Sequence, residues 1–378
     1  MKIIHLSDLH IGKTVHGFSM TDDQRHIFDE ILKIIDEESP DAVIMAGDIY
    51  DRTVPSAEAV RLFDGFLYEV TRRDTSVFII CGNHDSADRV AFGGRLMSKS
   101  RVFISPSYRG AEDPVVLHDD KGEVRFYMLP FIKPSHVRAA FDEDDIDTYE
   151  DAVKKAVEKM DIDPSVRNVL IAHQTVTGAE RSESEDIAVG GVDSVDAHIF
   201  DGFDYVALGH LHRPQSVLKE TVRYSGSPLK YSFSEADHDK SVTVVSLMEK
   251  GNASVSTVPL RPLRDMLILR GTYMELTDRS FYRDLDRSAY IKAVLTDEDD
   301  VPDAISRLRT VYPNIMAIDY DNLRTRSQSF VSAAEDTEKK SEIDLFDDLF
   351  FTQNGQRMSP EQREAAEEIL SELKERER

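Results

Sequence analysis

The chain has 378 residues, 40% of them hydrophobic, and 71 acidic against 46 basic side chains give a net charge of −25. It is longer than one ordinary domain and apolar enough for a packed core. A single cysteine, Cys81, excludes a disulfide framework and points to a reducing cytoplasm, and no apolar stretch is long enough to span a bilayer.

The first apolar run, residues 3–6, starts almost at once and leaves no room for a signal peptide. It reads as a buried strand and leads into Asp8-Leu9-His10. A helix follows. Thr21, Asp22, Asp23 and Gln24 read as a capping box, and Ile27, Phe28, Ile31, Leu32, Ile34 and Ile35 keep helical spacing up to Ser39-Pro40. The run 42–45 then leads into Gly47-Asp48-Ile49-Tyr50-Asp51, which completes a β-α-β unit. A second helix over 55–73 precedes the run 77–81 and Gly82-Asn83-His84-Asp85. A third helix, over 147–160, precedes the run 169–172 and His173. The run 205–208 ends in Gly209-His210-Leu211-His212. Strand and turn then alternate: 222–224, a turn at Ser225-Gly226-Ser227-Pro228, then 242–247 and 253–258. The pattern predicts an α/β fold, a two-sheet β-sandwich flanked by helices.

Near 259–264 the character changes. Strands at 266–269, 290–295 and 315–320, with a helix at 301–311, predict a small α+β cap domain over 263–325, after a main domain over 1–262. Residues 326–341 are polar, lack periodicity and read as a flexible linker. Residues 342–378 hold a helix pair. Ile343, Phe346, Leu349 and Phe350 mark the first helix. Ser359-Pro360-Glu361-Gln362 starts the second, which is striped by Ala366, Ile369, Leu370 and Leu373. Such a pair, tethered beyond a linker, predicts docking onto a partner; folding back on the main domain is the alternative.

Five polar fragments thus follow five apolar runs, and sites of open α/β sheets gather at such strand ends. The fragments supply Asp8, His10, Asp48, Asn83, His173, His210 and His212. Cleaving a phosphate ester requires an activated water and stabilised phosphoryl oxygens, and two cations about 3.5–4 Å apart supply both. A mixed imidazole and carboxylate set suits manganese, iron or zinc better than magnesium or calcium. Asp48 is the natural bridge, Asn83 adds a neutral oxygen, and His84 can face the substrate as a proton donor. Taken singly, each histidine is more often a hydrogen-bonded structural residue; the ordered set makes the metal reading. His5, His16, His26, His118, His136, His198 and His238 lie outside the fragments and read as structural or surface residues. Asp85 is open between chemistry and bracing its turn.

The ordered pattern D-x-H, G-D-x-x-D, G-N-H-D, H and G-H-x-H resembles the calcineurin-like metallophosphoesterase superfamily. The resemblance implies one metal held by Asp8, His10, Asp48 and His212, and a second by Asp48, Asn83, His173 and His210. It makes His84 the acid that assists the leaving group, oriented by Asp51 or Asp85. Core, cap, linker and helix pair together resemble the family of nuclease subunits of bacterial SbcCD complexes. Leu6-Ser7-Asp8-Leu9-His10-Ile11-Gly12-Lys13 and Gly226-Ser227-Pro228-Leu229 agree in detail. That likeness implies a DNA nuclease using two manganese ions, in DNA repair, recombination and replication. It would trim double-stranded ends 3′ to 5′ and cut single strands and hairpins. It further implies a homodimer in a two-plus-two assembly with the SbcC coiled-coil ATPase. Ile343, Phe346, Leu349, Phe350, Ile369, Leu370 and Leu373 would grip that partner, whose ATP hydrolysis controls double-strand cutting.

The net charge and a pI near 4.9 run against a nucleic-acid substrate and favour a small phosphorylated one. The acidity, however, concentrates in 142–151, 297–303 and the tail after 335, and part of a DNA surface could belong to the partner. Lys13, Arg52, Arg89 and Arg213, with Arg95, Arg181 and Lys230, are candidate phosphate contacts. Two other classes stay open: a phosphodiesterase for nucleotides or other small esters, and a scaffold without chemistry, against which the filled ligand set argues.

Overall fold

The computed structural model describes residues 1–378 apart from 111–112, 143–144, 186–192, 324, 326–342, 344–346, 348–357, 360–361, 364–365 and 367–378. Strands β1 (Lys2–Leu6), β2 (Ala42–Ala46), β3 (Ser76–Ile80) and β4 (Val102–Ile104) lie side by side in parallel. Six further strands build a second sheet: β5 (Val115–Asp119), β6 (Gly122–Leu129), β7 (Arg167–His173), β8 (Tyr205–Gly209), β9 (Gln215–Val217) and β10 (Lys219–Tyr224). Their order is β9-β10-β8-β7-β6-β5, parallel at the centre. β11 (Ser241–Leu247) and β12 (Ala253–Pro259) return to the first sheet and complete the order β12-β11-β1-β2-β3-β4.

Alternation along the strands produces the layers. Ile3, Ile44, Phe78 and Ile80 of the first sheet share one buried cluster with Phe126, Val169, Ile171, Tyr205 and Ala207 of the second. Ile4, Val43, Val77 and Ile79 turn the other way, onto α1 (Thr21–Glu38) and α2 (Ala57–Thr71), where Phe28 stacks on Phe66 with ring centroids 4.4 Å apart. Leu170, Ala172, Val206 and Leu208 pack likewise with α3 (Pro134–Phe141) and α4 (Tyr149–Glu158). Burial on both faces is why these strands read as unbroken apolar runs. The fold is the expected α/β sandwich flanked by helices.

Two local expectations differ. Thr21 is already helical, and Met20 precedes it with no side-chain cap. Gln24, expected to close a capping box, is fully buried instead; it donates to the His10 carbonyl (2.8 Å) and accepts the Gly12 amide (3.0 Å). Satisfying buried backbone groups outweighs capping a helix end that solvent can serve. The helix expected at 301–311 spans only Ala304–Leu308, after a left-handed Asp303.

β13 (Met266–Gly271), β14 (Tyr290–Leu295) and β15 (Ile315–Tyr320) form a three-stranded sheet in that order. The chain divides into two compact units, one of residues 1–269, 277–293 and 303–318, the other of 270–276, 294–302 and 319–378. In the first, Arg264 and the Tyr290 hydroxyl both bind the buried Asp23 carboxylate, at 2.8 and 2.6 Å. In the second, Asp297 accepts the Tyr273 amide at 2.7 Å and the Asn322 side chain at 3.0 Å. Of the expected docking side chains, Ile343 is helical and half-buried. Phe346, Leu349, Phe350, Ile369, Leu370 and Leu373 lie outside the described residues. No helix among the described residues is long and apolar enough to cross a membrane.

The two sheets touch at the carboxyl ends of β2, β7 and β8. His173 Nδ1 donates to the Ala46 carbonyl across the sandwich (2.7 Å), and Gly209 lies beside them: a Cβ there would overlap the Ala46 oxygen. The Ala46 oxygen is backbone and cannot swing aside, and His173 Nδ1, 2.7 Å from such a Cβ, is held by its bond to that oxygen. Gly209→Ala should cost about 1–3 kcal/mol, the usual range for overpacking, read as a lower urea midpoint at unchanged m-value. A variant as stable as the parent would show that the sheets can part here freely.

Candidate metal centre

Backbone pairing continues past the strand ends. The Asp8 amide donates to Gly47 (3.1 Å), His10 to Asp48 (2.9 Å) and Ile11 to Ile49 (2.9 Å), so the 8–11 turn lies along 47–51. Four candidate ligands have left-handed backbone: φ is 53° at Asp8, 43° at His10, 48° at Asp48 and 104° at His210. Such strain costs on the order of 1–3 kcal/mol per residue and persists only where the surroundings over-determine it. The surroundings do so here. Gln24 and the Tyr231 hydroxyl hold the carbonyls of His10 and Leu9, at 2.8 and 2.5 Å. The Asp85 carboxylate gathers the amides of Ile49, Tyr50 and Gly82, each at 3.0 Å. Asp8 accepts the His210 amide (3.0 Å), and Asp48 Oδ1 the His84 amide (2.9 Å).

All five fragments meet in one buried cluster. His10 Nε2 lies 3.1 Å from His212 Nε2 and 3.6 Å from Asp48 Oδ2, with Asp8 grouped beside them. On the other side of Asp48, His173 Nε2 is 3.4 Å from Oδ2 and 3.2 Å from Asn83 Oδ1, itself 3.0 Å from His210 Nδ1. Asp48 Oδ2 therefore faces both halves of the cluster.

Hydrogen bonds behind the rings tell what this cluster suits. His173 gives its Nδ1 proton to Ala46, and His212 Nδ1 lies 2.8 Å from the Ser184 hydroxyl. In a neutral ring each then turns an Nε2 lone pair inward, towards the oxygens of Asp48 and Asn83 and the nitrogen of His10. The lone pair of a neutral His173 facing the oxygens of Asp48 and Asn83 is repelled unless a cation lies between them, and this set of nitrogens and oxygens fits divalent transition metals. Burial holds His10 well below the ordinary imidazole range and His210 at about 3, so both are neutral donors. Burial opposes ionisation of Asp48, yet His173 and His10 outweigh it and hold the carboxyl below its usual range. Burial would lower His173 too, but Asp48 outweighs it and pushes this ring up to about 9. In the absence of a cation, a proton on His173 takes its place.

His84 sits at the rim with 23% of its side chain exposed, its Nδ1 3.2 Å from the Asp51 main-chain carbonyl. The Asp51 carboxylate takes Lys13 instead (2.8 Å), and that of Asp85 is engaged by backbone amides as above. Lys13 and Arg52 are thus brought to Asp51, Arg52 with its Nε 3.8 Å away. Arg213 pairs with Glu180, Arg181 with Asp193 and Lys230 with Asp265, while Arg89 and Arg95 are exposed. Ser184, Glu185, Glu235 and Lys240 also touch His212 and are not legible as site residues in the sequence. Their one signal is a Glu inside the aromatic stretch 231–235.

A family model described as calcineurin-like phosphoesterase matches residues 1–214, and one described as type 5 capsule protein repressor C-terminal domain matches 262–354. A curated relative, the SbcD subunit of the nuclease SbcCD of Staphylococcus epidermidis, is 32% identical over 381 residues, covering 100% of both chains. Among solved structures, the psychrophilic beta-glucosidase BglU from Micrococcus antarcticus is similar over 84% of each chain, at 10% identity and a TM-score of 0.20, too slight a likeness to carry an argument. All seven candidate ligands fall within the first matched span. The chain belongs to the calcineurin-like phosphoesterases and, among them, to the SbcD family of SbcCD nuclease subunits, metal-dependent nucleases that require divalent ions.

Proposed function

We propose that the chain is a two-metal DNA nuclease subunit of an SbcCD-type complex, working with manganese. It acts as a 3′-to-5′ exonuclease at double-strand ends and as an endonuclease on single strands and hairpins, in DNA repair and recombination. The observation that carries this reading is the full-length relative: the SbcD subunit of nuclease SbcCD aligns with the cap and tail as well as the phosphoesterase part. In this reading 1–262 is the nuclease domain, 263–325 the cap, 326–341 a linker and 342–378 the helix pair that docks on an SbcC-type ATPase. The assembly is a homodimer of nuclease subunits within a two-plus-two heterotetramer. The acidic net charge favours a second reading, a phosphodiesterase for nucleotides or other small esters.

Asp8, His10, Asp48 and His212 would hold one ion, and Asp48, Asn83, His173 and His210 the other. Two bound divalent ions supply an activated water and neutralise charge on the phosphoryl oxygens. The chain's own groups do the rest. His84, steadied by the Asp51 carbonyl, gives a proton to the departing oxygen. Asp51 holds Lys13 at the rim, where the ammonium can meet a phosphate. Asp85 ties the 47–51 and 82–85 turns together and so fixes Asp48 relative to Asn83.

Three outcomes test this. First, with His173 raised above its ordinary 6.5 to about 9, the cation-free His173–Asp48 pair contributes stability that is full below 6.5 and lost as pH rises through about 9. Manganese must displace the same proton, so binding should release protons near neutrality and tighten towards pH 9. Calorimetry in buffers of differing ionisation enthalpy reads this, and an affinity indifferent to pH would remove His173 from the ligand set. Second, His84→Gln should bind manganese as the parent does while losing about 10²–10⁴-fold in cleavage. Lost manganese would make His84 a ligand, as its grouping with His10 and Asp48 allows, and retained cleavage would take it out of the chemistry. Third, the protein with manganese should cut hairpin DNA and spare cyclic nucleotides and generic phosphodiesters; the reverse preference would favour the small-ester reading.

A further inference from the structure

The His212 ring is held from behind by side chains outside all five ligand fragments. Ser184 Oγ lies 2.8 Å from His212 Nδ1 and donates its own proton to Glu235 Oε1 at 2.6 Å, so it accepts the Nδ1 proton. Glu235 Oε1 also lies 3.3 Å from Nδ1 directly. The second oxygen of Glu235 accepts the Lys240 ammonium at 2.6 Å. Lys240 is itself buried, and it donates to the His212 carbonyl (2.7 Å) and to Ser227 Oγ (2.9 Å). Glu185 accepts the His212 amide at 2.7 Å. Amide, carbonyl and imidazole of one candidate ligand are thus each tied to a charged or hydroxyl side chain.

A fully buried ion pair is seldom a net stabiliser, because desolvation offsets the attraction. The Glu235–Lys240 pair therefore calls for a use beyond stability, and the bonds of Glu235 towards His212 indicate one. A ring whose Nδ1 proton is drawn towards a carboxylate keeps Nε2 bare, more basic and fixed in direction. Nε2 of His212 points at Nε2 of His10, 3.1 Å away.

We infer that Glu235, backed by Lys240 and acting through Ser184, is the positioning residue that fixes the tautomer and direction of His212 for one of the two ions. This rests on the ligand assignment proposed above. The test compares the full chain with His212→Ala, Ser184→Ala and Glu235→Gln by manganese titration and electron paramagnetic resonance. His212→Ala should lose one of two ions. Ser184→Ala and Glu235→Gln should weaken that same ion about 10–100-fold and leave the other unchanged. At manganese levels that saturate the parent, the signal of a spin-coupled pair should give way to that of an isolated ion. If His212→Ala loses an ion while Ser184→Ala and Glu235→Gln bind both as tightly as the parent, the inference fails alone. Equal weakening of both ions would also overturn it, since that is the mark of a general structural role. Two tightly bound ions in His212→Ala would overturn the ligand assignment beneath it. Should Glu235→Gln fail to fold, Ser184→Ala, which removes one half-exposed hydroxyl and no charge, carries the test.

Discussion

The His173 ring donates to the Ala46 carbonyl across the gap between the two sheets; two glycines make room for that contact, and a third makes room for the Asp48 carboxylate beside it. A Cβ at Gly47 would overlap the His173 ring, one at Gly82 the Asp48 carboxylate, and one at Gly209 the Ala46 oxygen. Stacked sheets ordinarily stand about 10 Å apart, with side chains filling the space. At this edge side chains are missing, and backbone meets ring. Asp8, His10, Asp48 and Asn83 come from one sheet and His173, His210 and His212 from the other, so without the close approach the cluster would be two half-sites.

Closeness also concentrates charge, and the backbone carries part of the cost. Asp8 and Asp48 are buried among four imidazoles, and four of the candidate ligands have positive φ. A polypeptide holds such an arrangement only when other groups fix each turn from outside. Gln24, Tyr231 and Asp85 do this for the first-sheet turns, and Glu185 with Lys240 does it for His212. None of these five is among the candidate ligands. Each nevertheless decides where a ligand atom lies.

That division explains what could be read from the sequence. Strands buried on both faces write themselves as apolar runs, and ligands that directly follow such runs stand out by position. Supporting residues have no such frame. Gln24 sits three residues after a threonine, and the pattern is the same whether its side chain turns to a cap or into the core; only the carbonyls of Leu9 and His10 decide between them. Glu235 meets Ser184 across 51 positions, a separation no local periodicity records. For Asp85 the sequence leaves bracing and chemistry open, and its three backbone amides account for it as a brace. In the third sheet the strands are legible because Tyr290, Ile291, Ala293 and Leu295 are buried, whereas the expected helix keeps only Ala304 and Leu308 inside and is shorter to match.

The supports are also connected beyond the cluster. Lys230, the neighbour of Tyr231, pairs with Asp265 at 2.8 Å, and Arg264 pairs with Asp23, the neighbour of Gln24, also at 2.8 Å. The two residues just before β13 are therefore bonded to the immediate neighbours of the two side chains that hold the Leu9 and His10 carbonyls. Asp23 is fully buried, and it also takes the Tyr290 hydroxyl at the start of β14. Asp23 is costly to strip of its partners, since the carboxylate left behind stays desolvated, whereas Asp265 is 46% exposed and salt screens its pair with Lys230. The root of the third sheet and the turn bearing Asp8 and His10 are in this way held by one set of bonds, and the position of the turn is not a property of the sandwich alone.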